Sequence, residues 1–198
     1  MKNTLTKILF FLLSFFSFNS CSKDFDWDVV RADFSTIEKT RFVLKPILIG
    51  DSKVGGIKST KGFNKLNLQV GFFKPGINTE QLINLLDNIS VDSTINCVVV
   101  SIGTNDGYKG DKSKLLKGKL FEVYPNLVKL FVIRGSIGWG SVKNKSTKDQ
   151  DSFYSKFQLN GFELIKINNC VIPSDKLAHT PNTPYYQEII TKLSKILK

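Results

Sequence analysis

The chain has 198 residues, of which 41% are hydrophobic, and carries 28 Lys and Arg against 17 Asp and Glu, a net charge of +11. That length suits one domain, and the apolar share is enough for a packed core. A single His and no CxxC pair argue against a metal centre, and lysines scattered outside any recognised module argue against a nucleic-acid reader.

The first segment reads as an export signal. Lys2 and Lys7 precede Ile8 to Phe18, a stretch that is apolar apart from Ser14 and Ser17. A bilayer-spanning helix needs about 20 apolar residues, so this run is too short to span and fits a secretory signal instead. It ends in Phe18-Asn19-Ser20-Cys21, and a Cys after a small residue resembles a bacterial lipobox. The expectation is a lipoprotein-type signal peptide over 1–20, lipidation of Cys21, and attachment to a membrane of the cell envelope, facing the periplasm or the outside, with plain secretion or an uncleaved anchor as the alternatives. Residues 21–45 then serve as a tether. Asp24, Asp26 and Asp28 alternate as carboxylates do in calcium loops, but the Gly and distal Glu of such a loop are missing.

From residue 46 the pattern becomes regular. Pro46-Ile47-Leu48-Ile49, ending at Gly50, predicts a strand buried on both faces. Asn67 to Phe73 predicts a second strand, and Asn78 to Ile89 a helix with Leu82, Ile83, Leu85, Leu86 and Ile89 at helical spacing and a polar cap at Asn78 or Thr79. Cys97 to Ile102 is a third strand, 111–124 a Lys-rich helix, Leu130 to Ile133 a fourth strand, and Asp149 to Leu159 a helix with Phe153, Tyr154 and Phe157 on its apolar side. Phe162 to Ile167 is a fifth strand, and Pro184 to Leu197 is a closing amphipathic helix. Apolar strands alternating with helices imply a parallel sheet covered on both faces, a three-layer α/β/α sandwich over residues 46–198. Cys97 and Cys170 both lie beside apolar runs and read as two separately buried thiols, with a disulfide between them as the alternative.

In such sheets the working residues gather at the carboxyl ends of the strands. Three polar groups follow predicted strands: Gly50-Asp51-Ser52, Gly103-Thr104-Asn105-Asp106 and Gly135-Ser136. A Ser on a strand-to-helix turn lifts its hydroxyl clear of the sheet, with Gly55 and Gly56 leaving room beyond, although Asp-Ser there also suits a plain helix cap. His179, just before the last helix, is the one imidazole available as a base, and neutral imidazole titrates near pH 6.5. Asp175, four residues earlier, is placed to orient that ring. The Asn105 amide can donate to a developing oxyanion, and Gly76, in Pro75-Gly76-Ile77-Asn78, can offer a backbone N–H to the same point.

Gly50-Asp51-Ser52, then Gly76, then Gly103-Thr104-Asn105-Asp106, then His179, in that order, resemble the four blocks of the SGNH/GDSL hydrolases. The resemblance implies a flavodoxin-like α/β/α fold with about five parallel strands, no cofactor, Ser52 as nucleophile and His179 as base. It also implies an oxyanion hole from the Ser52 N–H, the Gly76 N–H and the Asn105 side chain. Two departures stand out. The acid, Asp175, lies four residues before the His where the family usually has three, and Lys53 occupies the place of the family's Leu. The implied activity is hydrolysis of carboxylic esters through an acyl-enzyme. The substrate expected of an exported enzyme is an O-acyl or O-acetyl group on envelope or environmental polysaccharide, anionic if the basic stretches Lys109–Lys119 and Lys143–Lys148 flank the site. Two other readings share the residues: an inactive envelope-binding module on the same scaffold, and an O-acyltransferase.

Overall fold

The computed structural model describes residues 43–198, so the expected signal peptide, the Cys21 lipidation and all but the end of the tether lie outside the described residues. Five strands form one sheet: β1 (Pro46–Gly50), β2 (Gln69–Phe73), β3 (Cys97–Ser101), β4 (Lys129–Ile133) and β5 (Glu163–Ile165). Their order is β2-β1-β3-β4-β5, and every neighbouring pair is parallel. Among the described residues, six α-helices accompany them: α1 (Lys53–Lys58), α2 (Thr79–Leu86), α3 (Ser113–Val123), α4 (Thr147–Leu159), α5 (Asp175–Ala178) and α6 (Pro184–Ile196).

The strand residues sort by the two-residue period of the pleat. Val98, Val100 and Val132 face one core with Leu82 and Leu86 of α2, Leu116 and Leu120 of α3, and Phe153, Tyr154 and Phe157 of α4. Leu48, Val99 and Phe131 face a second core with Val54 and Ile57 of α1 and Tyr185, Tyr186, Ile189 and Leu193 of α6. Both faces of β3 are therefore dry, which is why its sequence is apolar without alternation. Cys97 and Cys170 are both free and buried, and they lie in opposite cores, so the sheet itself separates them.

The edge strand differs from the expectation of uniformly apolar strands. In β2, Val70 and Phe72 are half-buried while Gln69, Gly71 and Phe73 are exposed, as an edge with one covered side requires. Two helices start where their caps put them. Asn78 caps α2 through a reciprocal pair with Gln81, and Ser146 caps α4 through the same arrangement with Asp149. Each pair satisfies two backbone donors that would otherwise be orphaned. The box at Ser146 starts α4 at Thr147, two residues before the expected start at Asp149.

The strand order reverses between β1 and β3, and in open parallel sheets the carboxyl ends of the strands at such a reversal are where ligands bind. A buried polar network stiffens the neighbouring rim. Tyr154 donates its hydroxyl proton to the Ile102 carbonyl and accepts from the Gly135 N–H, while Gln150 donates to the Gly135 carbonyl and Tyr108 to that of Ser136. The loops after β3 and β4 are thus tied to α4. Gly103 (φ +111°) is fixed by the same packing, since a Cβ there would sit 2.8 Å from both Phe153 and Tyr154.

Candidate active site

β1 ends at Gly50, whose φ of +144° and a virtual Cβ only 2.0 Å from the Ser101 carbonyl oxygen leave room for glycine alone. The chain turns there, with the Asp51 N–H donating to Ser101 O at 3.0 Å. The Asp51 side chain is fully buried. Its Oδ1 accepts from the Lys53 N–H at 3.0 Å and from the Ser101 hydroxyl at 3.4 Å, and its Oδ2 faces Lys53 Nζ at 3.5 Å. Asp51 thus caps α1 and braces the turn from within. Ser52 occupies the N-cap position but makes no side-chain cap bond. Its hydroxyl is left free for another partner, which decides against the plain-cap reading.

That partner is His179. Ser52 Oγ lies 3.0 Å from His179 Nε2 across 127 residues of sequence. On the other side of the ring, Nδ1 lies 3.0 Å from the main-chain oxygen of Asp175. A carbonyl only accepts, so Nδ1 carries the proton and the neutral ring presents the Nε2 lone pair to the serine. The ring can therefore take the hydroxyl proton without first changing tautomer.

Asp175 opens α5, and His179 follows its last residue. One helical turn stacks positions i and i+4, which accounts for the four-residue spacing: Asp175 Oδ1 comes within 3.3 Å of Nδ1. The carboxylate is 70% exposed, however, and the imidazole 41%. Water screens such a pair, so its hold on the ring is weak. The backbone of this segment has a firmer anchor, because the Tyr186 hydroxyl donates to the Ala178 carbonyl at 2.5 Å. Gly56 is what admits that ring. A Cβ on Gly56 would stand 2.3 Å from the Tyr186 Cζ. The space at Gly56 is therefore filled by Tyr186 and is not left open beyond the serine.

The expected oxyanion donors are stitched to the same rim. The Lys74 N–H donates to Gly50 O at 3.1 Å, joining the end of β2 to the serine turn. Asn105 donates one amide N–H to Ile77 O at 2.9 Å, which leaves the second N–H of that amide for another acceptor. Asp106 accepts from the Thr79 N–H and from its hydroxyl, the latter at 3.0 Å, pinning the start of α2 to the loop after β3. Burial pushes the Asp106 carboxyl up from its ordinary value, against those same hydrogen bonds. Gly76 takes a φ of +78° in an exposed turn, with nothing within 4 Å of a virtual Cβ. Among the described residues, neither its N–H nor that of Ser52 donates to a backbone acceptor.

Gly135 and Ser136, the third polar group expected on the rim, are buried structural residues that bond to Gln150, Tyr154, Tyr108 and Trp139. Two other residues came forward only with the structure. Trp139, half-buried, packs edge-to-face with the His179 ring at a centroid distance of 5.5 Å. Lys53 is 2% exposed and puts Nζ 5.6 Å from the centre of the Trp139 ring. Burial lowers the Lys53 pKa while the neighbouring Asp51 and, further off, Asp175 raise it. The sequence signal for Trp139 was slight, an aromatic between Gly138 and Gly140. For Lys53 it was only the departure from Leu. Among the described residues, no three His, Cys, Asp or Glu side chains gather as a metal site.

No protein-family model matches the sequence, and no curated protein matches it. Solved structures do. A GDSL-like lipase from Bacteroides thetaiotaomicron superposes with a TM-score of 0.55 at 12% identity, over 84% of this chain and 95% of that one. An alpha/beta hydrolase enzyme from the metagenome of Lake Arreo gives 0.50 at 12% identity, over 79% and 98%. A variant of an acetyl-xylooligosaccharide esterase from Geobacillus stearothermophilus gives 0.51 at 11% identity, over 78% and 94%. At such identities the likeness is one of fold. This chain has a five-stranded parallel α/β fold that matches that of the GDSL-like lipase.

Proposed function

We propose that this protein is a serine hydrolase that cleaves carboxylic esters, with Ser52 as nucleophile and His179 as base. The observation that carries the reading is the 3.0 Å contact between Ser52 Oγ and His179 Nε2, made by a hydroxyl that its own helix does not use. In the first step His179 Nε2 takes the Ser52 proton as Oγ bonds to the ester carbonyl carbon. The Ser52 and Gly76 N–H groups and the remaining Asn105 N–H stabilise the oxyanion. The tetrahedral adduct collapses, the C–O bond to the alcohol breaks, and the imidazolium protonates the departing oxygen. Water then repeats the sequence on the acyl-Ser52 ester and releases the acid.

We further propose that the protein is exported, anchored through lipid on Cys21, and acts on O-acyl groups of polysaccharide. An acetyl-xylooligosaccharide esterase among the proteins of this fold supports that substrate class. A preference for anionic glycans is supported less strongly. Lys112 pairs with Glu80, and Lys119 with Asp87 and Glu122, so part of the basic stretch is already neutralised. Lys109 and Lys143 are exposed and keep the preference testable by its salt response.

A fluorophosphonate probe tests the core of the reading, with p-nitrophenyl acetate and acetylated xylo-oligosaccharide as substrates. The wild type is expected to label and turn over. Ser52→Ala is expected to do neither, and Asn105→Ala to lose ~10²–10³-fold in rate. Full esterase activity in Ser52→Ala would end the assignment. Labelling without turnover of either ester, but with acyl transfer to an added sugar, would convert it to a transferase.

A further inference from the structure

The serine-hydrolase reading leaves open what holds the imidazole against Ser52. Asp175 supplies both partners of Nδ1, one from its carboxylate and one from its main chain. Both belong to the four-residue helix that immediately precedes His179, so they orient the ring relative to that helix and not relative to the serine. The carboxylate is also mostly in water. A tie between the ring and the body of the protein must come from another element.

Trp139 is such an element. It lies in the loop after β4, and its indole N–H donates to the hydroxyl of the fully buried Ser136 at 2.9 Å. Its ring meets the His179 ring at an interplanar angle of 73°. It also meets the ammonium of Lys53, the residue that follows the nucleophile in the chain. A buried ammonium is costly unless its charge is answered. Here the Asp51 carboxylate answers it on one side, and the indole ring contributes a cation–π contact. The indole therefore bridges the nucleophile's turn and the base's ring. We infer that Trp139 is the positioning residue for His179, and that the buried Lys53 holds Trp139 in register with Ser52.

This inference rests on the hydrolase reading, and labelling rates separate the two. The experiment measures the second-order rate of fluorophosphonate labelling, kcat and KM for p-nitrophenyl acetate, and the melting curve, for the wild type, Trp139→Ala, Trp139→Phe and Asp175→Asn. Trp139→Ala is expected to slow labelling and lower kcat together by ~10- to 100-fold, since small misplacement of a reacting group carries penalties of that size, while KM stays within about twofold. Trp139→Phe keeps a π-face and is expected to recover most of the labelling rate. Asp175→Asn is expected to lose less than Trp139→Ala. If Trp139→Ala does not fold, Trp139→Leu, apolar but without a π-face or N–H, replaces it in the series. Wild-type labelling in the Trp139 variant overturns the inference, as does a larger loss in Asp175→Asn or a Trp139→Phe no better than the alanine. A wild type that never labels removes the hydrolase reading itself.

Discussion

The two halves of the serine–histidine pair are held in very different ways. The nucleophile's turn, Gly50 to Lys53, is over-determined. A glycine against the Ser101 carbonyl, a fully buried Asp51 with three donors and a buried Lys53 fix the backbone before Ser52 does anything. The base sits on one exposed helical turn, and its main attachments are the Tyr186 hydroxyl below the backbone and the Trp139 ring beside the imidazole. Side chains buried in a polar network gain rigidity because low dielectric strengthens each hydrogen bond. An exposed loop forgoes that and is freer to move. Substitutions in the first region should therefore cost mainly stability, and those in the second mainly rate.

The sharpest way to break this contrast is Lys53→Met. It leaves the Asp51 carboxylate buried without its ammonium and with only the Lys53 N–H and the Ser101 hydroxyl as donors, at a cost of about 3 kcal/mol. Urea unfolding of the variant should show a loss of that order, and a variant as stable as the wild type would mean the turn is not held by charge. Glu188 comes next, as a reference on α6 outside both regions. It accepts from the N–H groups of Asn168 and Asn169, each at 2.9 Å, and from Lys192 at 3.1 Å. Burial opposes its ionisation, but those donors outweigh burial and hold the carboxyl at about 2, below the ordinary 4.5. A carboxyl depressed on folding stabilises the protein fully above the unfolded value and loses that contribution as pH falls toward the folded one. The wild type should thus exceed Glu188→Gln by about 2 kcal/mol at pH 7, discounted for the solvent at its edge, and the gap should close between pH 4.5 and pH 2. Parallel urea titrations across that range read it directly. The smallest effect should come from Tyr186→Phe, which deletes one hydrogen bond to Ala178 O for about 1 kcal/mol. Its kcat should fall by a larger factor than its stability suggests. A variant that loses stability while its kcat is untouched would place the anchor of the base elsewhere.

Much of the architecture was legible in the sequence because burial writes itself into pattern. The apolar run Cys97 to Ile102 has no alternation because both faces of β3 are covered, and helical spacing from Leu82 to Leu86 follows from a single covered side. The candidate residues were legible for a second reason: Ser52 and Asn105 follow strands, His179 is the single histidine, and their order along the chain resembles a known set of blocks. What was not legible was contact at a distance. Nothing local in Lys53 announces that its ammonium is buried, and nothing in Gly56 announces a tyrosine from α6 filling the missing side chain. The short α1 and α5 were also hidden, since six and four residues carry too little periodicity to read.

The chain alone therefore determined the order of the strands and longer helices, the parallel layered sheet they imply, and which polar residues follow its strands. Each of these depends on local spacing and on which side chains avoid water. Tertiary structure alone decided that a hydroxyl and an imidazole 127 residues apart stand within hydrogen-bond reach. It also decided that the acid is mostly in solvent and that an indole joins the two regions. Those outcomes depend on how the loops after β1, β4 and β5 converge in space, and the residues within any one loop do not encode where the others end.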